Sequence, residues 1–138
     1  MRALTSTVDR SRLTYSLLFT LVIGVGLLWR SGRLPLPPFW AKYGGDGLWA
    51  LAVFLGLGVA FRQTTPARVG LCALAFSWTV EFLQLYHAPW IETLRATVLG
   101  RLVLGTTFNV PDLFAYALGI ALGVVLEGGC YRAQPPPS

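Results

Sequence analysis

Four stretches of this chain are so long and so apolar that they constrain the fold before any other residue is considered. They run over about residues 13–29, 47–61, 69–86 and 112–126, and charges, prolines or glycines bound each one. In hydrocarbon the backbone N–H and C=O groups have no water to bond, so a crossing segment of about 20 apolar residues must be helical. The chain has 138 residues, 54% of them hydrophobic and only 12% charged, against roughly 25% charged residues in soluble domains. The expectation is an all-α, polytopic membrane protein in which residues 1–138 form one domain with about four transmembrane helices. The second and fourth stretches are short for spans, and draw on flanking residues or on a locally thinned bilayer.

The third stretch is not pure hydrocarbon. Ser77, Glu81 and Gln84 are spaced by four and three residues, which stacks them on one face of a helix. A carboxylate at the bilayer centre costs about 2.5 to 3.5 kcal/mol on insertion scales, so Glu81 needs a partner and is a functional candidate. An ion pair with Arg95 or Arg101 is the structural alternative.

Arg2, Arg10 and Arg12 precede the first apolar stretch, as in a secretory signal. The stretch closes on Leu28, Trp29 and Arg30 without a small-x-small cleavage pattern, so the expectation is a retained anchor. With both termini on one side, Arg2, Arg10, Arg12, Arg62, Arg68 and Arg132 face Arg30, Arg33, Lys42, Arg95 and Arg101 across the membrane. The basic leading end of the first helix favours cytoplasmic termini and a multi-pass protein of the bacterial inner (plasma) membrane. The net charge of +5 is spread over both faces, which suits anionic lipid headgroups and excludes a nucleic-acid patch. Cys72 and Cys130 are expected as free thiols. Neither has the Cys or His neighbours that a metal site requires, and neither a metal nor a cofactor is expected.

The connection from Arg30 to Asp46 holds Pro35, Pro37, Pro38, Gly44 and Gly45, which reads as an interfacial loop with Phe39, Trp40 and Tyr43 at headgroup level. Trp90 has the same role in the other loop on that side. The segment from Ala88 to Pro111 is too long for a turn, and it carries Leu94, Val98, Leu99, Leu102 and Val103 at helical spacing. An interfacial or re-entrant helix is expected there, between the third and fourth spans. His87 reads as a solvated loop residue, and the tail over 133–138 as disordered.

In this topology Asp46 opens the second helix, Glu81 and Gln84 end the third, Asp112 opens the fourth, and Arg95 and Arg101 lie on the same membrane face. Tyr116 follows Asp112 by one turn, and Gly119 and Gly123 have the small-xxx-small spacing of close helix packing. The pattern predicts a polar pocket opening outward between the third and fourth helices. Asp46 and Asp112 also suit helix starts, as a cap and a first-turn acid, and either role accounts for them.

Glu81-x-x-Gln84 late in a third helix, arginines in the next loop, and Asp112 opening a fourth helix ahead of Gly119 resemble the VanZ-like superfamily of small bacterial membrane proteins. The wider pattern is similar to a domain-of-unknown-function family of bacterial four-helix proteins. It comprises Gly45-Asp46-Gly47-Leu48-Trp49, Glu81-Phe82-Leu83-Gln84-Leu85-Tyr86, Arg95, Leu99-Gly100, Leu104-Gly105, Phe108 and Asp112-Leu113. The likeness runs from about Lys42 to Gly123. It implies a site of Asp46, Glu81, Gln84, Arg95 and Asp112, with Arg101 as a substitute for Arg95. The chain departs from the VanZ pattern in lacking a His soon after the first acid, and in having Tyr116 where an Asn is common.

Three readings follow. The first is a pocket that binds an amphiphile, an anionic lipid or a cell-wall precursor, through Arg95 and Arg101. The second is an envelope enzyme using Glu81 and Asp112 as base and acid or as divalent-cation ligands. The third is a structural subunit of a membrane complex. No nucleophile motif or Gly-rich phosphate loop supports the enzyme, so binding is preferred.

Overall fold

The computed structural model describes residues 2–5 and 7–132. A short turn of helix α1 (Arg2–Thr5) leads to a two-residue strand β1 (Val8–Asp9), followed by helices α2 (Arg12–Arg30) and α3 (Pro38–Ala60). Strand β2 (Gln63–Thr64) then precedes α4 (Pro66–Leu83), two short helices α5 (Pro89–Ala96) and α6 (Val98–Leu104), and the long α7 (Val110–Arg132). The strands pair antiparallel, Val8 opposite Thr64 and Asp9 opposite Gln63. This strand pair departs from an all-α reading, although it is only a tie between the start of the chain and the α3–α4 turn.

Helices α2, α3 and α7 are long and apolar enough to cross a membrane. Helix α3 packs against α2, α4 and α7, and α7 against α4. The core is Ala50, Phe54 and Leu55 of α3, Val69 and Ala73 of α4, and Tyr116 and Ile120 of α7. Helix α2 has no buried residue. Leu13, Leu17 and Leu21 on α2, with Phe114, Leu118 and Leu122 on α7, form an apolar outer surface that a soluble monomer rarely exposes.

Helix lengths correct the sequence reading at two points. The expected interfacial loop up to Asp46 is a loop only as far as Pro37, because α3 starts at Pro38. A proline at the first helical position gives up no hydrogen bond and has its φ already set. Gly44 and Gly45 do not break α3. They let α2 lie close across it: a Cβ at Gly44 would fall 2.7 Å from the Trp29 ring, and one at Gly45 2.6 Å from Arg30 Nε. Asp46 therefore sits inside α3 and is no helix cap. The fourth span likewise runs past residue 126 to Arg132, which takes Glu127 into the bundle.

The segment expected as one re-entrant helix is two, broken at Thr97. Its side chain accepts from the Gly100 N–H at 3.0 Å and caps α6. Cys72 and Cys130 are free and exposed. The expected disordered tail over 133–138 lies outside the described residues.

Candidate functional site

The C-terminal ends of α2 and α4 and the N-terminal ends of α3 and α7 meet at one pole of the bundle. There Arg30 donates to Asp46 Oδ1 at 2.5 Å, and Lys42 reaches both Asp46 Oδ2, at 3.4 Å, and Asp112 Oδ1. Asn109 Nδ2 donates to the same Asp112 oxygen at 3.1 Å. One lysine thus links Asp46, inside α3, to Asp112, in the first turn of α7, and fixes the two helices against each other.

Behind this cluster lies Glu81, fully buried at 0% exposure. Its carboxylate accepts from the Asn109 backbone N–H at 2.7 Å, the Tyr116 hydroxyl at 2.9 Å and Gln84 Nε2 at 3.2 Å. Among the described residues it pairs with no cation, so the ion pair with Arg95 or Arg101, the structural alternative, does not form. Three neutral donors replace it, one from the backbone just ahead of α7, where the helix dipole favours an anion. The Ser77–Glu81–Gln84 stripe is buried as one face, directed at α7. Ser77 Oγ and Gln84 Oε1 are enclosed with no hydrogen-bond partner among the described residues.

A cavity of about 620 Å³ opens in front of these groups. Its walls include Arg30, Lys42, Asp46, Gln84, Arg101, Asp112 and Tyr116, with Trp29 and Trp49 as apolar sides. Five residues singled out in the sequence, Asp46, Gln84, Arg101, Asp112 and Tyr116, line it. Glu81 stands behind the wall and holds Tyr116 and Gln84 in place. Three cations, Arg30, Lys42 and Arg101, face two acids, Asp46 and Asp112, which leaves one cation in excess. Among the described residues Arg101 makes no side-chain hydrogen bond or ion pair.

Arg95 is elsewhere. Its guanidinium donates to the carbonyls of Tyr86 at 2.7 Å and Leu83 at 2.8 Å, and to Glu92 at 2.7 Å. It thereby ties α5 to the end of α4 and to the turn that follows it, and does not line the cavity. Exposed His87 bonds Glu92 at 2.9 Å, and its contact together with that of Arg95 holds the Glu92 carboxyl below its ordinary value.

Two glycines allow close packing around the cavity. Gly119 lies on the Gly47 carbonyl, leaving no room for a Cβ, and Gly105, at φ +67°, tucks under the Gln84 side chain.

A family model described as a protein of unknown function (DUF2809) matches residues 35–120. The chain belongs to this DUF2809 family. The match spans α3 to the middle of α7 and contains every charged wall residue of the cavity except Arg30. No solved structure matches the chain.

Sequence reasoning missed Arg30 and Lys42. Lys42 and Asp46 have the i, i+4 spacing of a helical ion pair, a signal hidden once the segment is read as loop. It also missed the opposite pole, where Arg10 (1% exposed) meets Glu127, both outside the DUF2809 match, through two bonds of 2.5 and 2.9 Å. Arg10 also donates to the carbonyls of Phe61 and Thr64, and Tyr15 donates to Glu127. Burial works against the Arg10 charge, but the Glu127 carboxylate outweighs it and holds the guanidinium above its ordinary value.

Proposed function

We propose that this DUF2809 protein is a four-span, VanZ-like protein of the bacterial plasma membrane whose polar cavity binds the anionic headgroup of an amphiphile. The observation that carries this reading is Arg101, an exposed guanidinium without a side-chain partner among the described residues, on the wall of a cavity lined by three cations and two acids. A guanidinium fork suits phosphate or carboxylate, and the ligand would leave Arg30 and Lys42 on their acids. Helix α4 supplies the fourth span: its only charges are Arg68, near one end, and Glu81, which neighbours satisfy. The basic leading end of α2, with Arg10 and Arg12, supports cytoplasmic termini and an outward cavity.

The enzymatic alternative draws less support. Both Glu81 oxygens already accept from the chain's own donors, and Asp112 is held by Lys42 and Asn109. Among the described residues no three acids, His or Cys gather as a metal site.

Thermal unfolding in detergent with added lipid tests the binding reading. Phosphatidylglycerol should raise Tm in the wild type while phosphatidylcholine does not, and Arg101→Gln should abolish the shift. Equal shifts with both lipids would remove the anion specificity on which the reading depends.

A further inference from the structure

We propose that the groove beside the polar cavity holds one hydrocarbon chain of the ligand whose headgroup fills the cavity, and that this headgroup is a phosphate ester carrying a free hydroxyl. The inference rests on the reading of the cavity as a headgroup site. The groove, of about 240 Å³, runs between α2, α3 and α6 and is walled by Val22, Ile23, Gly26, Leu48, Leu99 and their neighbours. For scale, an apolar cavity of roughly 150 Å³ takes up a benzene.

Two observations join groove and cavity. Arg30, Trp49, Leu102 and Val103 are walls of both, so the apolar space and the charged one lie against each other at these four residues. Arg30 spans the junction, its guanidinium anchored on Asp46. A molecule that fills both must be apolar at one end and charged at the other. The outer wall, with Leu99 at 72% exposure, opens the groove to the hydrocarbon of the bilayer, where such chains are abundant.

The headgroup chemistry follows from Gln84. Its side chain lines the cavity and is 5% exposed, and Oε1 has no donor among the described residues. The amide orientation is fixed, because Nε2 faces the Glu81 carboxylate. A buried acceptor left without a partner is unfavourable; Oε1 is enclosed, so a ligand hydroxyl supplies the missing donor once the amide turns slightly toward the cavity. Arg101, an exposed cation on the same wall, favours an anion there. A phosphoglycerol lipid meets all three demands, and soluble glycerol phosphate meets only the polar two.

The test uses the full chain in maltoside micelles and measures Kd for phosphatidylglycerol, phosphatidylethanol and glycerol phosphate. Wild type should bind phosphatidylglycerol at least tenfold more tightly than either of the others. Gly26→Phe should lose that tenfold for phosphatidylglycerol and keep the glycerol phosphate affinity. A Cβ at Gly26 meets only Leu48 Cβ, at 3.8 Å, so the new ring enters the groove and not a packed interface. Leu99→Gln, at an exposed site, should act in the same direction, and retained glycerol phosphate binding reports that both variants are folded.

Unchanged phosphatidylglycerol affinity in both variants would overturn the chain site and leave the headgroup reading standing. Equal binding of phosphatidylethanol and phosphatidylglycerol would remove the hydroxyl. No binding of any probe would end the headgroup reading itself.

Discussion

The Tyr116 hydroxyl and the Glu81 carboxylate, 2.9 Å apart and sealed between α4 and α7, make the structure's sharpest energetic statement. Glu81 Oε1 accepts from Asn109, and Oε2 accepts from both Tyr116 and Gln84. Glu81→Gln turns one oxygen into an NH2 group, which must then face at least one buried donor. A donor stranded in this way costs about 1 to 3 kcal/mol, and the variant should lose about that much.

Tyr116→Phe removes the hydroxyl, and the double variant closes a cycle. Neutral hydrogen bonds between membrane helices average about 0.6 kcal/mol, with a maximum of about 1.7. Bonds to charged groups reach about 1.5 to 3. A charged acceptor shared by three donors belongs between these values, and the expected coupling is about 1 to 2 kcal/mol. Reversible unfolding in SDS micelles, followed by tryptophan fluorescence, measures it. Strict additivity, within about 0.5 kcal/mol, would refute the bond and with it the account of how Glu81 is held without a cation.

Other outcomes follow from other contacts. Gly119→Leu should force α3 from α7 at the Gly47 carbonyl and lower stability by about 1 to 3 kcal/mol, read in the same SDS assay. Arg10→Ala should cost about 3 to 5 kcal/mol by leaving Glu127 buried and unpaired, and Arg10→Ala with Glu127→Leu should recover part of that loss. Glu92 should titrate below its reference value of 4.5 by NMR, and His87→Ala should move it back up. Because its folded value is depressed, its stabilising contribution is present above the unfolded value and fades as pH falls through the folded one. A midpoint at or above 4.5 would contradict the His87 and Arg95 contacts.

The helices and one wall of the site were legible in the sequence, because hydropathy and helical spacing are local signals. Ser77, Glu81 and Gln84 share a buried face, and Asp46, Gln84, Arg101, Asp112 and Tyr116 converge on one cavity, as the alternation of helix ends implies. What escaped depended on where α3 begins. Prolines and glycines read as breakers concealed a helix that starts on Pro38 and uses Gly44 and Gly45 to admit Trp29 and Arg30. With that turn hidden, Lys42 and its bridge between Asp46 and Asp112 had no geometry. Arg95 illustrates the opposite error: a cation close to Glu81 in sequence turns instead to carbonyls at the end of α4 and in the turn that follows it. The Arg10–Glu127 pair joins residues 117 apart, a distance no local pattern spans.

Native mass spectrometry of the protein released from a mild detergent, beside Arg101→Gln, addresses the central claim most directly. The account predicts a discrete adduct of anionic phospholipid mass on the wild type and its loss from the variant. A wild type without any adduct, or an adduct retained equally by both proteins, would contradict the claim that this cavity binds an anionic headgroup.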